Sequence, residues 1–277
     1  MLKTVNRGVS KAMIIDSHAH LDYPQLGEDL DAVLARAAAA GVDQVITIGV
    51  KLTTADKPKK IAETYPNVWC SVGVHPHEAD NEPDAANVDA ILAAADHPRC
   101  VAIGEAGLDY FYDYGSPAAQ AKSFRAQIAV ARQLGLPIIV HARDADDDMA
   151  AILEDEMAQG PFSGVLHCYS SGPELARRAI DIGFYLSFSG ILTFNKAEEL
   201  RAIAASVPED RLLVETDSPY LAPVPHRGQS NEPAYTAHTL AKLADLRGRT
   251  QAEMAATTRA NTLRLFNRMV VQTGDGA

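Results

Sequence analysis

Short runs of β-branched and aliphatic residues alternate along this chain with longer stretches of helical periodicity. The apolar runs fall at 13–16, 44–49, 68–74, 100–104, 137–140, 164–166, 184–188 and 211–215. They are nearly continuous rather than alternating with polar residues. That pattern suits strands buried on both faces, and hence a parallel sheet. Helical stretches fill the gaps at 28–40, 55–65, 86–96, 117–134, 145–157, 173–182, 196–206 and 233–246, and a last one spans 251–268. Gly41 and Gly135 stand where a helix C-terminus favours a left-handed residue. Eight strands, each followed by a helix, predict an α/β fold of the (β/α)8 TIM-barrel type with an extra C-terminal helix. The competing arrangement is a doubly wound open sheet. It usually carries a Gly-rich phosphate loop after its first strand, and here that place holds SHAHLD. No linker or composition break interrupts residues 13–277, so they are expected to form one domain. Residues 1–12 read as a flexible N-terminal extension.

The strand ends carry the chemistry. His18 and His20 follow the first run, Glu105 the fourth, His141 the fifth, His167 the sixth and Asp217 the eighth. In a barrel, the C-terminal strand ends form the active-site mouth. Period-2 alternation tests which way each residue faces. Asp16, His18 and His20 share one parity, as do Ile103 with Glu105, Ile139 with His141, Val165 with His167, and Glu215 with Asp217. Each polar residue is therefore expected to continue a face of its own strand. Cys168 takes the opposite parity from His167, which argues against it as a ligand. Mixed imidazole and carboxylate donors suit Zn²⁺, Mn²⁺, Co²⁺ or Fe²⁺, whereas all-oxygen sets suit Mg²⁺ better. Six ligands are too many for one catalytic ion with an open position. They suit two divalent cations with one carboxylate bridging, which points to a hydrolase.

Composition narrows the context. The chain has 277 residues, 47% of them hydrophobic, ample for a large core. A net charge of -11 argues against broad, sequence-independent coating of nucleic acid. It leaves a nuclease open, because two divalent ions held by two carboxylates and neutral histidines leave a local charge of about +2. Cys70, Cys100 and Cys168 are odd in number and widely spaced. They suggest no disulfide framework and favour a cytoplasmic, reducing setting. No apolar run is long enough to span a membrane, and the N-terminus does not read as a secretory signal. No stable protein partner is expected.

The segments DSHAHLD (16–22), GVHPH (73–77), AIGEAGLDY (102–110), PIIVHARDA (137–145), LHCYSSG (166–172), LLVETDSPYLAP (212–223), HRGQSNEP (226–233) and NTLRLF (261–266) stand together in order. With them the chain resembles the TatD family of metal-dependent deoxyribonucleases, in the amidohydrolase superfamily, over nearly its whole length. One departure is Ala106, where that family usually has a larger aliphatic residue. The change is expected to affect packing and not ligation. The resemblance implies metal-dependent hydrolysis of DNA phosphodiesters, with an exonuclease acting on single-stranded or frayed ends. It implies that His18, His20 and Asp217 hold one ion and His141 and His167 the other, with Glu105 bridging. The metal itself, Mg, Mn or Zn, stays open.

Around this set, Asp217 is expected to take the proton of the attacking water, beside Glu105. His75 has the correct face to contact phosphate or protonate a leaving group, against a turn-stabilising role beside Pro76. His77 is a weaker candidate for substrate contact. Arg143 reads either as a phosphate ligand or as an ion-pair partner of the acidic run at 144–148. Arg227 and Asn231 read as substrate contacts or as loop-closing residues. Asp16 and Glu215 are expected to orient ligands from behind. Tyr110, Phe111, Tyr112 and Tyr114 form either a base-stacking platform or a packed lid. Two other functions fit the same residues: an amidohydrolase-type hydrolase of a small amide, ester or aminoacyl substrate, and a non-enzymatic metal-binding interaction protein.

Overall fold

The computed structural model describes residues 13–270. The expected extension at 1–12 lies outside the described residues, as does the stretch from 271 onward. Eight parallel strands run in sequence order around the sheet: β1 (Ile14–Ala19), β2 (Val42–Thr47), β3 (Val68–Val72), β4 (Cys100–Asp109), β5 (Ile138–Arg143), β6 (Gly164–Leu166), β7 (Tyr185–Phe188) and β8 (Leu212–Val214). The ring closes through a parallel bridge between Ala19 and Ser218 and the hydrogen bonds from His20 N to Ser218 O and from Asp217 N to His18 O. The helices are α1 (Pro24–Gly27), α2 (Leu30–Ala40), α3 (Asp56–Thr64), α4 (Val88–Ala95), α5 (Pro117–Leu134), α6 (Asp146–Gln159), α7 (Pro173–Asp181), α8 (Glu198–Ser206), α9 (Thr236–Arg247) and α10 (Gln251–Leu265). This is the (β/α)8 barrel with an extra C-terminal helix.

Local chemistry sets the helix ends. Ser116 caps α5 through Ala119 N, with Pro117 in the first turn and Gly135 left-handed at the far end. Thr250 and Glu253 form a reciprocal capping box on α10. Among the described residues, no helix is long and apolar enough to cross a membrane. Cys70, Cys100 and Cys168 are free thiols.

Two apolar layers result. One buried cluster draws a residue from every strand, including Ile15, Ile46, Trp69, Val101, Ile139, Val165, Tyr185 and Leu213, and Leu265, Phe266 and Met269 from the end of the chain pack against it. This is the barrel interior, floored by the residues that end and follow α10. The larger cluster lies between strands and helices and includes Val45, Cys70, Ile103, Val140 and Phe124.

β4 runs past the expected 100–104 to Asp109, and β5 lengthens beside it to Arg143. The segment EAGLD lacks the apolar continuity of a strand. It still pairs with β5, Gly107 opposite His141, after a register shift between Ile103 and Ala106. Gly104 (φ 115°) and Gly107 (φ 140°) occupy backbone conformations that favour glycine. A Cβ on Gly107 would lie 2.0 Å from the carbonyl oxygen of His141. The shift also corrects the parity argument. Ile103 packs in the helix-side layer, so Glu105 does not reach the mouth by continuing the face of Ile103. On β1, Ile15 takes the interior position, and a second irregularity between Asp16 and Ala19 re-aims the histidines. β8 ends at Val214, and Asp217 (φ 59°) is placed by the following turn rather than by strand alternation. Alternation from an interior residue holds at β5 and β6, where Ile139 and Val165 precede His141 and His167.

Candidate active site

Glu105 stands at the centre of the mouth and is almost fully buried. Its two oxygens face different neighbours. Oε2 lies 3.3 Å from His18 Nε2 and 3.8 Å from His20 Nε2. Asp217 Oδ1 completes that group, 3.6 Å from His18 Nε2 and 3.4 Å from His20 Nε2. Oε1 lies 2.7 Å from His167 Nε2, 3.1 Å from His141 Nδ1 and 3.4 Å from His75 Nε2. The six strand-end residues expected as ligands thus converge, and His75 joins them.

The donors fit a divalent cation. Donors around one ion with bonds of 2.0–2.1 Å sit about 3 Å apart, the spacing found here. His18 Nε2 and Glu105 Oε2 are 3.3 Å apart, yet neither has a hydrogen-bond partner. Orphaned buried polar atoms are costly and rare, unless a common third partner satisfies them. Two triads have donor atoms close enough to hold an ion, His18 with His20 and Glu105, and His75 with Glu105 and His141. A third, His18 with His167 and Glu215, lies behind them.

The environment keeps the carboxylates charged. Burial alone would raise the Glu105 carboxyl. The neighbouring imidazoles of His167, His75 and His18 outweigh it and hold the group well below the usual carboxylate range. Burial likewise opposes ionisation of Asp217, but the hydrogen bond from His20 and the charges of His18 and His167 bring it below its ordinary value. Burial pushes His75 down to about 4, so its imidazole is neutral near pH 7. That state favours ligation or hydrogen bonding by His75 over protonation of a leaving group.

Residues behind the ligands fix their orientation. Asp16 accepts from the backbone N–H groups of His18 and Thr216 and from the Thr216 hydroxyl, tying the end of β1 to the turn after β8. Burial raises the Asp16 carboxyl to about 7. Glu215 accepts from Cys168 N at 2.6 Å, and its Oε1 lies 3.3 Å from His167 Nδ1. Asp109 went unread as a site residue. Its Oδ2 lies 3.0 Å from His141 Nε2 and 2.8 Å from His77 Nε2, while its Oδ1 accepts from the backbone N–H groups of Phe111 and Tyr112. The signal was present: Asp109 lies four residues past Glu105, on the same parity of a strand that runs further than its apolar part. Cys168 lines the neighbouring cleft but contacts Ser189 Oγ at 3.1 Å, and burial holds its thiol well above the usual range.

The remaining candidates separate. A cleft of ≈ 530 Å³ over the cluster is lined by His75, His77, Lys51, Arg143, Tyr112 and Tyr114, with Tyr23 and Tyr220 also in its wall. Arg143 makes no ion pair with the 144–148 acids; its guanidinium lies 4.0 Å from the ring centroid of Phe111. Arg227 is exposed, stacks 3.5 Å from the Phe194 ring centroid and lines neither cleft beside the cluster. Asn231 is fully buried, and its amide donates to the carbonyls of Thr216 and Tyr220. The loop-closing reading is the one its geometry supports.

A family model described as TatD related DNase matches residues 15–267. The chain belongs to the TatD family. It is 44% identical over 257 residues to the uncharacterized metal-dependent hydrolase YcfH of Escherichia coli K12, covering 92% of this chain and 96% of that one. It is 36% identical over 258 residues to the 3'-5' ssDNA/RNA exonuclease TatD of Salmonella typhimurium, covering 91% and 98%. The solved structure of YJJV, a TatD homolog from Escherichia coli K12, superposes with a TM-score of 0.87 at 30% identity, covering 93% and 99%. As a TatD-family member, this chain is a metal-dependent hydrolase acting on ester bonds.

Proposed function

We propose that this TatD-family hydrolase is an exonuclease that cleaves phosphodiesters of DNA at single-stranded or frayed ends, using two divalent cations. The observation that carries the two-cation reading is the split of Glu105, whose Oε2 faces His18, His20 and Asp217 while its Oε1 faces His141 and His167. The nucleic-acid reading is supported by the similarity to a relative named for ssDNA and RNA exonuclease activity. His18, His20 and Asp217 would hold one ion and His141 and His167 the other, with Glu105 shared. Ions so placed would acidify a water molecule and offset the negative charge of the phosphoryl oxygens.

The chain's own residues then do the following. Asp217, kept ionised, takes the proton of the attacking water at its free carboxylate oxygen. Asp109 and Glu215 hold the imidazoles of His141 and His167 in their ligating orientations. His75, neutral, joins the ligands or donates a hydrogen bond toward a phosphate oxygen. The cation of Arg143 at the cleft wall attracts the strand. Free thiols suit a cytoplasmic setting, and no stable protein partner is proposed.

The test is a panel of single-stranded DNA, duplex DNA, RNA, and amide and aminoacyl esters, each with Mg²⁺, Mn²⁺ or Zn²⁺, run beside Glu105→Ala. Single-stranded DNA is expected to be trimmed from its end, and Glu105→Ala to lose both turnover and bound metal. Turnover of only the amide or aminoacyl substrates, or full activity and two bound metals in Glu105→Ala, would sink the reading.

A further inference from the structure

The segment that follows β4 is out of character for a soluble surface. Phe111, Tyr112 and Tyr114 are 53%, 38% and 60% exposed. The rings of Tyr112 and Tyr114 lie parallel, at 7° and 5.4 Å between centroids. Both line the cleft that contains Glu105 and Asp217. His77 meets each of them edge-on, at 5.4 and 5.0 Å. The loop is not loose: Asp109 Oδ1 fastens its backbone at Phe111 and Tyr112, and the Tyr110 hydroxyl donates to Asp148. A fixed, parallel and solvent-facing pair of rings has lost little entropy still to be lost on binding, and presents π-faces that any base can cover. Arg143 sits beside it, over Phe111 and 5.0 Å from the Tyr112 ring, without an ion-pair partner among the described residues. Apolar rings beside an unpaired cation match a nucleobase joined to a phosphate.

We propose that Tyr112 and Tyr114 form a nucleobase-stacking subsite, with Arg143 holding a neighbouring backbone phosphate, which sets which phosphodiester lies over Glu105. This rests on the nucleic-acid reading above. Stacking needs bases exposed on one face, so the subsite selects unpaired strands over duplex. It is sequence-tolerant, because the rings offer no directional hydrogen bond to a base edge.

The test compares wild type, Tyr112→Ala/Tyr114→Ala and Tyr112→Phe/Tyr114→Phe on three substrates. These are an oligo(dT), the same strand carrying abasic spacers at its cleaved end, and bis(p-nitrophenyl) phosphate. The alanine pair is expected to raise KM for oligo(dT) by about 5- to 150-fold. It should leave the abasic strand and bis(p-nitrophenyl) phosphate unchanged, and the phenylalanine pair should behave as wild type. Equal KM for oligo(dT) in wild type and the alanine pair overturns the subsite, as does an equal rise on the abasic strand. A wild type that hydrolyses bis(p-nitrophenyl) phosphate but neither strand overturns the nucleic-acid reading itself, and the subsite with it.

Discussion

Asp109 Oδ2 lies 3.0 Å from His141 Nε2, on the side of the ring opposite Glu105. A carboxylate there favours a proton on Nε2 and would leave Nδ1 free for the proposed ligation. The hydrogen bonds from His141 and His77 outweigh burial and hold Asp109 far below the ordinary carboxylate range, so it stays charged behind the ligand. Asp109→Asn keeps an oxygen for the loop N–H groups but sets an amide N–H against imidazole N–H. Turnover or metal affinity is expected to fall about 10- to 100-fold, with partial recovery in excess metal. Metal titration followed by hydrolysis of bis(p-nitrophenyl) phosphate measures this, and a variant indistinguishable from wild type would remove Asp109 from the site.

Much of the molecule is legible in its sequence. The strands of a parallel barrel are buried on both faces, so they print as apolar runs, and polar residues at their ends stand out. α5 was read to the residue, because Pro117 and Gly135 mark its ends by backbone preference. Asp109 shares the parity of Glu105, but the second half of β4 that carries it does not print as an apolar run, since Gly104 and Gly107 serve close strand approach rather than propensity. The facing of Glu105 and Asp217 was expected for the wrong reason. A register shift and a left-handed turn, neither visible as periodicity, aim them.

Metal removal is expected to cost stability as well as activity. The proposed ligands stand on or just past β1, β4, β5, β6 and β8, so only the closed barrel assembles them. At 100 times its dissociation constant, each ion bound to the folded state alone adds about 2.7 kcal/mol. Stripping one should lower Tm by roughly 5–10 °C for a chain of this size. Thermal melts with chelator and with restored metal give the shift, and superimposable curves would count against a resident ion.

Gly107→Ala tests the close approach of β4 to β5. The new Cβ would strike the His141 carbonyl and the residue would be held at φ 140°. The loss of stability is expected to be at least about 3 kcal/mol. Urea unfolding read by far-UV dichroism provides the value; a loss below about 1 kcal/mol would mean that β4 relaxes freely.

His226 and His238 meet at 3.2 Å between their Nε2 atoms. Burial and the neighbouring His226 lower the His238 pKa from its ordinary 6.5. A base with a depressed folded-state pKa binds fewer protons folded than unfolded below that value. Its contribution is therefore intact above pH 6.5 and is lost as pH falls through the window beneath it. His238→Gln should lose less stability between pH 8 and pH 5 than wild type does, as read from urea midpoints. Parallel losses would exclude His238 from the acid response.

Leu265, Phe266 and Met269 belong to the same interior layer as residues from every strand. That layer is therefore unfinished until the last helix has been made. On the ribosome, a chain halted before α10 holds all six proposed ligands but presents Trp69, Ile139 and Leu213 to water. Such apolar surface is what chaperones and proteases engage. Covering that layer with Leu265, Phe266 and Met269 is therefore expected to shorten the time for which a newly made barrel exposes it.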